Sequence, residues 1–100
     1  MKRRDVFIDP FAQQDLIHIY NVIAELAGPA PGAAFVEQII AHCMKFDLAS
    51  ERGNRRDDIR PGLRITGYRR RVTIAFSVTE TRVEILRIFY GGVDREPLLA

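Results

Sequence analysis

The chain has 100 residues, of which 47% are hydrophobic and 28% charged. This composition is typical of one folded domain, here residues 1–100, and not of a disordered chain. No apolar run is long enough to span a membrane, and the basic start is not followed by the apolar stretch of a signal peptide. The lone cysteine, Cys43, excludes an internal disulfide and a multi-cysteine metal site. We therefore expect a cytoplasmic protein that needs no metal or cofactor.

A short strand and a helix are the first predicted elements. Residues 6–8 form the strand candidate, which ends at Asp9. Asp9 is a good N-cap, and Pro10 suits the first helical position, where a backbone N–H is not needed. Gly28, followed by another proline, ends the helix. Apolar side chains repeat between these limits at helical spacing: Ala12, Leu16, Ile19, Tyr20, Ile23 and Ala27.

A second helix is predicted from about Ala33 to Leu48, after a tight connection over residues 29–32. Its apolar stripe contains Phe35, Ile39, His42 and Phe46. Because the link between the two helices is short, they should form an antiparallel hairpin. The hairpin buries one face against a sheet.

Three strands are predicted in the second half of the chain. Residues 63–68 form the first, and residues 72–78 alternate apolar and small polar side chains as a half-buried strand does. Residues 83–90 are apolar on both faces, as expected of a strand covered on both sides. Residues 49–61 are predicted to be a loop, and residues 91–100 to be irregular or at most a short helical turn. The fold class is therefore α+β, in the order β-α-α-β-β-β, with the hairpin on one face of a small, mainly antiparallel sheet.

The positive charge is concentrated in one part of the chain. Eight arginines stand at positions 52, 55, 56, 60, 64, 69, 70 and 71, against two aspartates at 57 and 58. Guanidinium groups suit bidentate contacts with carboxylates or phosphates, so this pattern favours an acidic partner. A solvated charged loop is the alternative interpretation.

Three segments in this order, together with the first helix, resemble the ParE branch of the RelE/ParE toxin superfamily of bacterial toxin–antitoxin systems. They are residues 58–64, 68–76 and 85–92. The resemblance implies a small cytoplasmic toxin that inhibits DNA gyrase by protein–protein binding. It also implies neutralisation by a ParD-like antitoxin, through which alone the toxin would be brought to DNA. The RelE branch, by contrast, cleaves messenger RNA on the ribosome.

The ribonuclease alternative requires basic and proton-transferring groups that converge on the RNA. In RelE-like enzymes these groups lie on the middle strand and near the carboxyl terminus, which corresponds here to Thr73, Val93 and Leu99. None of these residues suits the role, and Tyr90 and Arg87 do not match the pattern. We therefore expect no catalytic residues, and a RelE-like ribonuclease remains the alternative.

The remaining titratable residues suggest no enzyme site. His18 is expected at the solvent edge and His42 at the edge of the core, while Cys43 should be a small buried residue. Tyr68 and the three arginines after it could bind phosphates and stack a base, or accept the acidic tail of an antitoxin. We favour the antitoxin tail because the resemblance supplies such a partner.

The antitoxin is expected in the groove between the hairpin and the sheet. Phe35 and Ile39 would accept its apolar anchors. Arg87 lies between two apolar residues of a strand, so it should meet either a carboxylate or a partner chain, unless its stem simply lies along the sheet edge. The arginines predicted to meet acidic antitoxin residues are Arg60, Arg64, Arg69, Arg70 and Arg71, with Arg87 as a further contact.

Overall fold

The computed structural model describes residues 3–48, 50–91 and 99. Its five strands, numbered along the chain, form one sheet in the order 1-5-4-3-2, in which the first strand runs parallel to the fifth and the other neighbours are antiparallel. The predicted α+β fold, with two helices on a mainly antiparallel sheet, is confirmed. The elements are β1 (Asp5–Ile8), α1 (Pro10–Ala27), α2 (Pro29–Met44), a 3-10 turn (Lys45–Asp47), β2 (Asn54–Arg55), β3 (Leu63–Tyr68), β4 (Val72–Val78) and β5 (Arg82–Tyr90).

Helix α1 begins and ends where the sequence predicts. The Asp9 carboxylate accepts a hydrogen bond of 3.0 Å from the backbone N–H of Phe11, and Pro10 takes the first helical position. At the other end, Gly28 has a φ of 102°, which a residue with a side chain rarely adopts. In the part of the chain that the structure describes, neither this helix nor α2 is long and apolar enough to cross a membrane.

Helix α2 differs from its predicted limits at both ends. It begins at Pro29 instead of Ala33, because a proline fits the first turn of a helix as well as a loop. Gly28 alone therefore joins the two helices. Helix α2 ends at Met44 and continues as the short 3-10 turn before Leu48. Gly32 permits the close helix pair, since a Cβ there would lie 3.2 Å from the backbone oxygen of Tyr20.

The sheet is covered on both faces, although unequally. The larger core lies between the sheet and the hairpin, and the smaller one covers the opposite face, here called the outer face. A β-bulge at Leu86 adjusts the side-chain alternation, because Ala75 pairs with Arg87 while its neighbour Phe76 pairs with Ile85. The hairpin-side core includes Leu16, Ile19, Ile39, Phe46, Ile74, Phe76 and Ile85, and the outer-face core includes Leu63, Ala75, Phe89 and Leu99. The prediction that β5 is apolar on two covered faces is confirmed.

The segment predicted as a loop before β3 contains the two-residue strand β2, which pairs with β3. Arg4 holds this end of the molecule together: its side chain donates to the backbone oxygen of Thr79 (2.7 Å) and to the buried hydroxyl of Ser50 (2.6 Å). The predicted tail lies outside the described residues except for Gly91 and Leu99.

Gly53 allows β2 to approach β3 closely, because it has no side chain. Its φ is +73°, and a Cβ there would lie 2.4 Å from the backbone oxygen of Ile65. We predict that Gly53→Ala lowers the free energy of unfolding by about 3 kcal/mol, through backbone strain and displacement of β2. Gly62→Ala is the control, because Gly62 has a similar φ of +79° and no atom near its Cβ position. The control should lose only about 1 kcal/mol. If denaturant titrations showed equal losses of the free energy of unfolding for the two variants, the contact with the Ile65 backbone would contribute nothing beyond the backbone strain.

Candidate partner-binding surface

Arg87 is held by a carboxylate, which was one of the alternatives that the sequence left open. Its guanidinium donates two hydrogen bonds to the carboxylate of Asp15, of 2.8 and 2.9 Å, and this contact raises the pKa of Arg87. The backbone N–H of Ile88 also donates to Asp15, at 2.9 Å. Pairing of β1 with β5 stops at Ile85, so Asp15 satisfies the strand edge beyond that point. Arg87 therefore forms an internal ion pair with Asp15, and an antitoxin contact of the same side chain stays a prediction.

The two predicted apolar anchors on α2 have different positions. Ile39 is fully buried in the hairpin-side core, so its side chain offers no surface to a partner, and its assignment as an anchor is corrected. Phe35 is half-buried at the rim of the core, where its ring makes an edge contact with Tyr90 at a centroid distance of 5.9 Å. The space between hairpin and sheet, where the antitoxin was expected, is filled by this core. The apolar stripe of α2 indicates a helix face that packs against the sheet, and Ile39 was wrongly assigned from this stripe to a partner contact.

An apolar groove lies instead on the outward side of the hairpin, between α1 and α2. Its volume is about 320 Å³. Ile17 is 54% exposed at this groove, although it is a large apolar residue. The sequence signal that could have indicated the groove is the apolar side chain of Ile17, which lies outside the core stripe of α1. The groove is lined by Leu16, Ile17, Tyr20, Ala33, Val36 and Glu37.

The eight arginines of the basic region do not form one surface. Arg55 and Arg56 are each paired with a nearby aspartate, Asp57 and Asp58, at distances of 2.9 Å. These pairs fit the alternative of a locally neutralised, solvated loop. A bidentate contact also keeps the pKa of Asp58 below its usual range. The charge of Arg55 and Arg56 is therefore largely compensated within the chain.

Arg60 and Arg64 lie on separate parts of the surface, and Arg60 shares its cavity with Arg87. The Arg64 side chain is half-buried and donates to the backbone oxygen of Arg52, at 3.0 Å. Arg60 borders an open cavity of about 440 Å³ on the outer face, beside Phe11 and Leu99. The structure therefore does not bring these two arginines together with residues 69–71.

Arg69, Arg70 and Arg71 form the loop that joins β3 to β4, here called the arginine tip. All three are exposed. Within residues 3–48 and 50–91, no carboxylate forms an ion pair with any of them. The Arg69 guanidinium donates to the Tyr68 hydroxyl, at 3.1 Å, and lies 5.5 Å from the centre of its ring. Among the described residues, the tip therefore has no carboxylate partner, unlike Arg55 and Arg56.

A stack of rings connects the arginine tip to helix α2. The rings of Tyr68 and His42 are stacked, with centroids 4.3 Å apart and planes at 25°. His42 also contacts the buried ring of Phe46 edge-on, at 5.4 Å, and Arg52 lies over the Phe46 ring. Burial, helped by the charges of Arg52 and Lys45, lowers the pKa of His42, so the ring is neutral at pH 7. His42 lies at the core edge, as predicted, and in addition supports Tyr68.

The positions expected for RelE-like catalysis carry no basic group. Thr73 lies on β4 opposite Gly67 and Phe89, and Leu99 is buried in the outer-face core. Val93 lies outside the described residues. Cys43 is buried, which raises the pKa of its thiol to about 12 and leaves it protonated at neutral pH.

Two further observations complete the description of possible sites. His18 is exposed, as predicted. In the described ranges, no three histidine, cysteine or acidic side chains are placed to hold a metal ion.

Comparison with known proteins identifies relatives of this chain. A family profile described as the ParE toxin of the type II toxin–antitoxin system parDE matches residues 6–94. A solved structure of a chromosomal ParDE toxin–antitoxin system from P. aeruginosa superposes with a TM-score of 0.78 at 24% identity, over 90% of this chain and 98% of that one. The toxin–antitoxin complex RelBE2 from Mycobacterium tuberculosis gives 0.54 at 20% identity, over 88% and 98%. At these identities the structural likeness concerns the fold alone. No curated protein matches the chain.

The Asp15–Arg87 ion pair should stabilise the fold measurably. We predict that Asp15→Ala and Arg87→Ala each lower the free energy of unfolding by about 2 kcal/mol, because each leaves a half-buried charge unpaired. A double-mutant cycle should give a coupling of about 1–2 kcal/mol. The control is the pair Arg82 and Glu84, also on β5, whose side chains are 44% and 37% exposed. Its coupling should stay below about 0.5 kcal/mol. A similar coupling for both pairs would contradict the account.

Proposed function

Because the chain belongs to the family of ParE toxins of type II toxin–antitoxin systems, we propose that it acts as a cytoplasmic toxin that inhibits DNA gyrase by protein–protein binding. We further propose that a ParD-like antitoxin neutralises it. The observation that carries this proposal is the family match over residues 6–94. The surface features are those of a binding protein: an apolar groove and an uncompensated basic loop, with no basic group at the described RelE-like positions.

The antitoxin segment that we propose for the groove is an amphipathic helix. The groove is almost entirely apolar, with Leu16 and Val36 partly or fully buried in its wall and Ile17 at its rim. A groove between two helices accepts the apolar face of a third helix, whose side chains enter at helical spacing. Both solved neighbours belong to toxin–antitoxin systems, which supports a protein partner of this kind.

Acidic residues of the same antitoxin would meet the arginine tip. From Val36 in the groove to His42 below the tip, α2 advances six residues, or about 9 Å along its axis. His42 is turned by about 120° around the helix from Val36, so the antitoxin would wrap over α2 to contact both the groove and the tip. Arg60 and Arg64 would be reached only if the antitoxin wraps further around the toxin, because they lie elsewhere on the surface.

The gyrase proposal is tested with purified components. We predict that the protein at micromolar concentration blocks supercoiling of relaxed plasmid by gyrase. Addition of an equimolar cognate antitoxin should restore supercoiling. In the same preparation, messenger RNA on translating ribosomes should stay intact. Cleavage of that RNA with normal gyrase activity would overturn the proposal in favour of a RelE-like ribonuclease.

The antitoxin-docking proposal is tested at the groove. We predict that Ile17→Glu weakens antitoxin binding by about tenfold to a hundredfold, since a charge would enter an apolar contact. Leu26→Glu is the matched control, because Leu26 is 78% exposed on the same helix and does not line the groove. The control should change the dissociation constant by less than about twofold in calorimetric titrations. Unchanged affinity for Ile17→Glu would place the antitoxin on another surface.

A further inference from the structure

The backbone of the arginine tip adopts a conformation that arginine disfavours. Arg69 and Arg70 have φ values of 53° and 63°. Loop positions with positive φ are usually filled by glycine or asparagine, because a larger side chain is strained there. Such strain tends to be kept where the side chain has a function. Asparagine would suit the loop of this chain better, so stability alone does not explain two arginines.

Two hydrogen bonds hold the arginine tip in place, and a ring stack supports one of them. The backbone N–H of Gly91 donates to the carbonyl of Arg71, at 2.8 Å, which ties the loop to the end of β5. Arg69 is bonded to the Tyr68 hydroxyl, and the Tyr68 ring rests on His42. The guanidinium groups therefore extend from a fixed base, so a partner need not order the loop backbone on binding.

We infer that the arginine tip is a preformed carboxylate-binding site for an acidic segment of the antitoxin, and that His42 is a positioning residue that acts on the tip through Tyr68. This inference rests on the proposed antitoxin partner and adds the chemistry of the contact. Each guanidinium can donate two parallel hydrogen bonds to one carboxylate. Three adjacent arginines thus suit a segment that carries two or three acidic side chains.

The surroundings of the tip favour a peptide over a nucleic acid. One face of the Tyr68 ring is covered by His42, and the Arg69 guanidinium lies 5.5 Å from the ring centre, so the ring is already engaged by two side chains of this chain and is a poor platform for a base. The tip also lies at the His42 end of α2, about 9 Å along the helix axis from the groove, so a peptide that wraps over α2 can contact both. An extended apolar contact beside a basic one is the pattern of a protein partner.

The test of the tip separates charge from backbone strain. Arg70→Asn removes the charge and relieves the strain, so we expect the melting temperature to rise by about 4 °C. The same variant should bind blocked hexaglutamate about threefold more weakly at low salt, as followed by amide chemical shifts of residues 68–72. Arg70→Lys keeps both charge and strain but loses the bidentate donor pair, so the melting temperature should stay close to the wild type while the affinity falls between those of the wild type and Arg70→Asn.

The controls for this experiment use paired arginines and a second anion. The double variant Arg55→Ala with Arg56→Ala removes two charges that aspartates already neutralise, so it should not weaken hexaglutamate binding. A short duplex DNA is compared at the same ionic strength. Stronger tip-dependent binding of the duplex than of hexaglutamate would overturn the assignment to a carboxylate partner. So would unchanged hexaglutamate binding by Arg70→Asn.

The positioning role of His42 is tested by loss and rescue. His42→Ala should weaken hexaglutamate binding about threefold, as removal of the ring frees Tyr68. His42→Phe restores a ring without a titratable group and should restore the affinity. Failure of the rescue in a variant that melts normally would overturn the positioning role. These measurements use neither gyrase nor antitoxin, so their failure is distinguishable from failure of the proposed function.

Discussion

The carboxylate of Asp15 is the contact on which the arrangement of helices and sheet depends. The parallel pairing of β1 with β5 ends at Ile85, because Asp9 and Pro10 turn the chain away into α1. Asp15 then reaches back to the same strand and accepts hydrogen bonds from the side chain of Arg87 and the backbone of Ile88. One side chain thus satisfies an open strand edge, neutralises an arginine and fixes α1 against the sheet.

Helix α2 lies across one end of the sheet as a consequence of that anchoring. The short link at Gly28 and the close contact at Gly32 hold α2 to α1. Along α2, Phe35 meets Tyr90 on β5 and His42 meets Tyr68 on β3. The hairpin therefore presents an apolar groove on its outward side while its inward side supports the arginine tip. Both parts of the proposed binding surface depend on the position of this one helix.

Local signals in the sequence predicted most of the fold. The Asp9-Pro10 start of α1 was readable because capping depends on neighbouring residues only. The start of α2 was not, since Pro29 and Pro31 suit a first helical turn as well as a connection. Strand β2 could not be predicted from two polar residues, because its pairing depends on the approach of β3 and on the space at Gly53.

The site was less predictable because it depends on contacts between distant residues. Ile39 has the spacing of a surface stripe and of a core stripe alike, and only packing against the sheet distinguishes them. The arginines looked alike in the sequence, yet Arg55 and Arg56 find aspartates close by, while within residues 3–48 and 50–91 no carboxylate pairs with the arginine tip. Arg87 was recognised as needing a carboxylate, but its partner is 72 residues away along the chain.

The parallel pairing of β1 with β5 has a consequence for the timing of folding. Asp5 is paired with Arg82, so the first strand finds its neighbour only after synthesis has passed through β5. Since a ribosome adds about 5–20 residues per second from the amino end, a nascent chain spends seconds without a closed sheet. The sheet therefore closes only after its last strand has been synthesised, and until then the parallel edge of β1 has no partner strand.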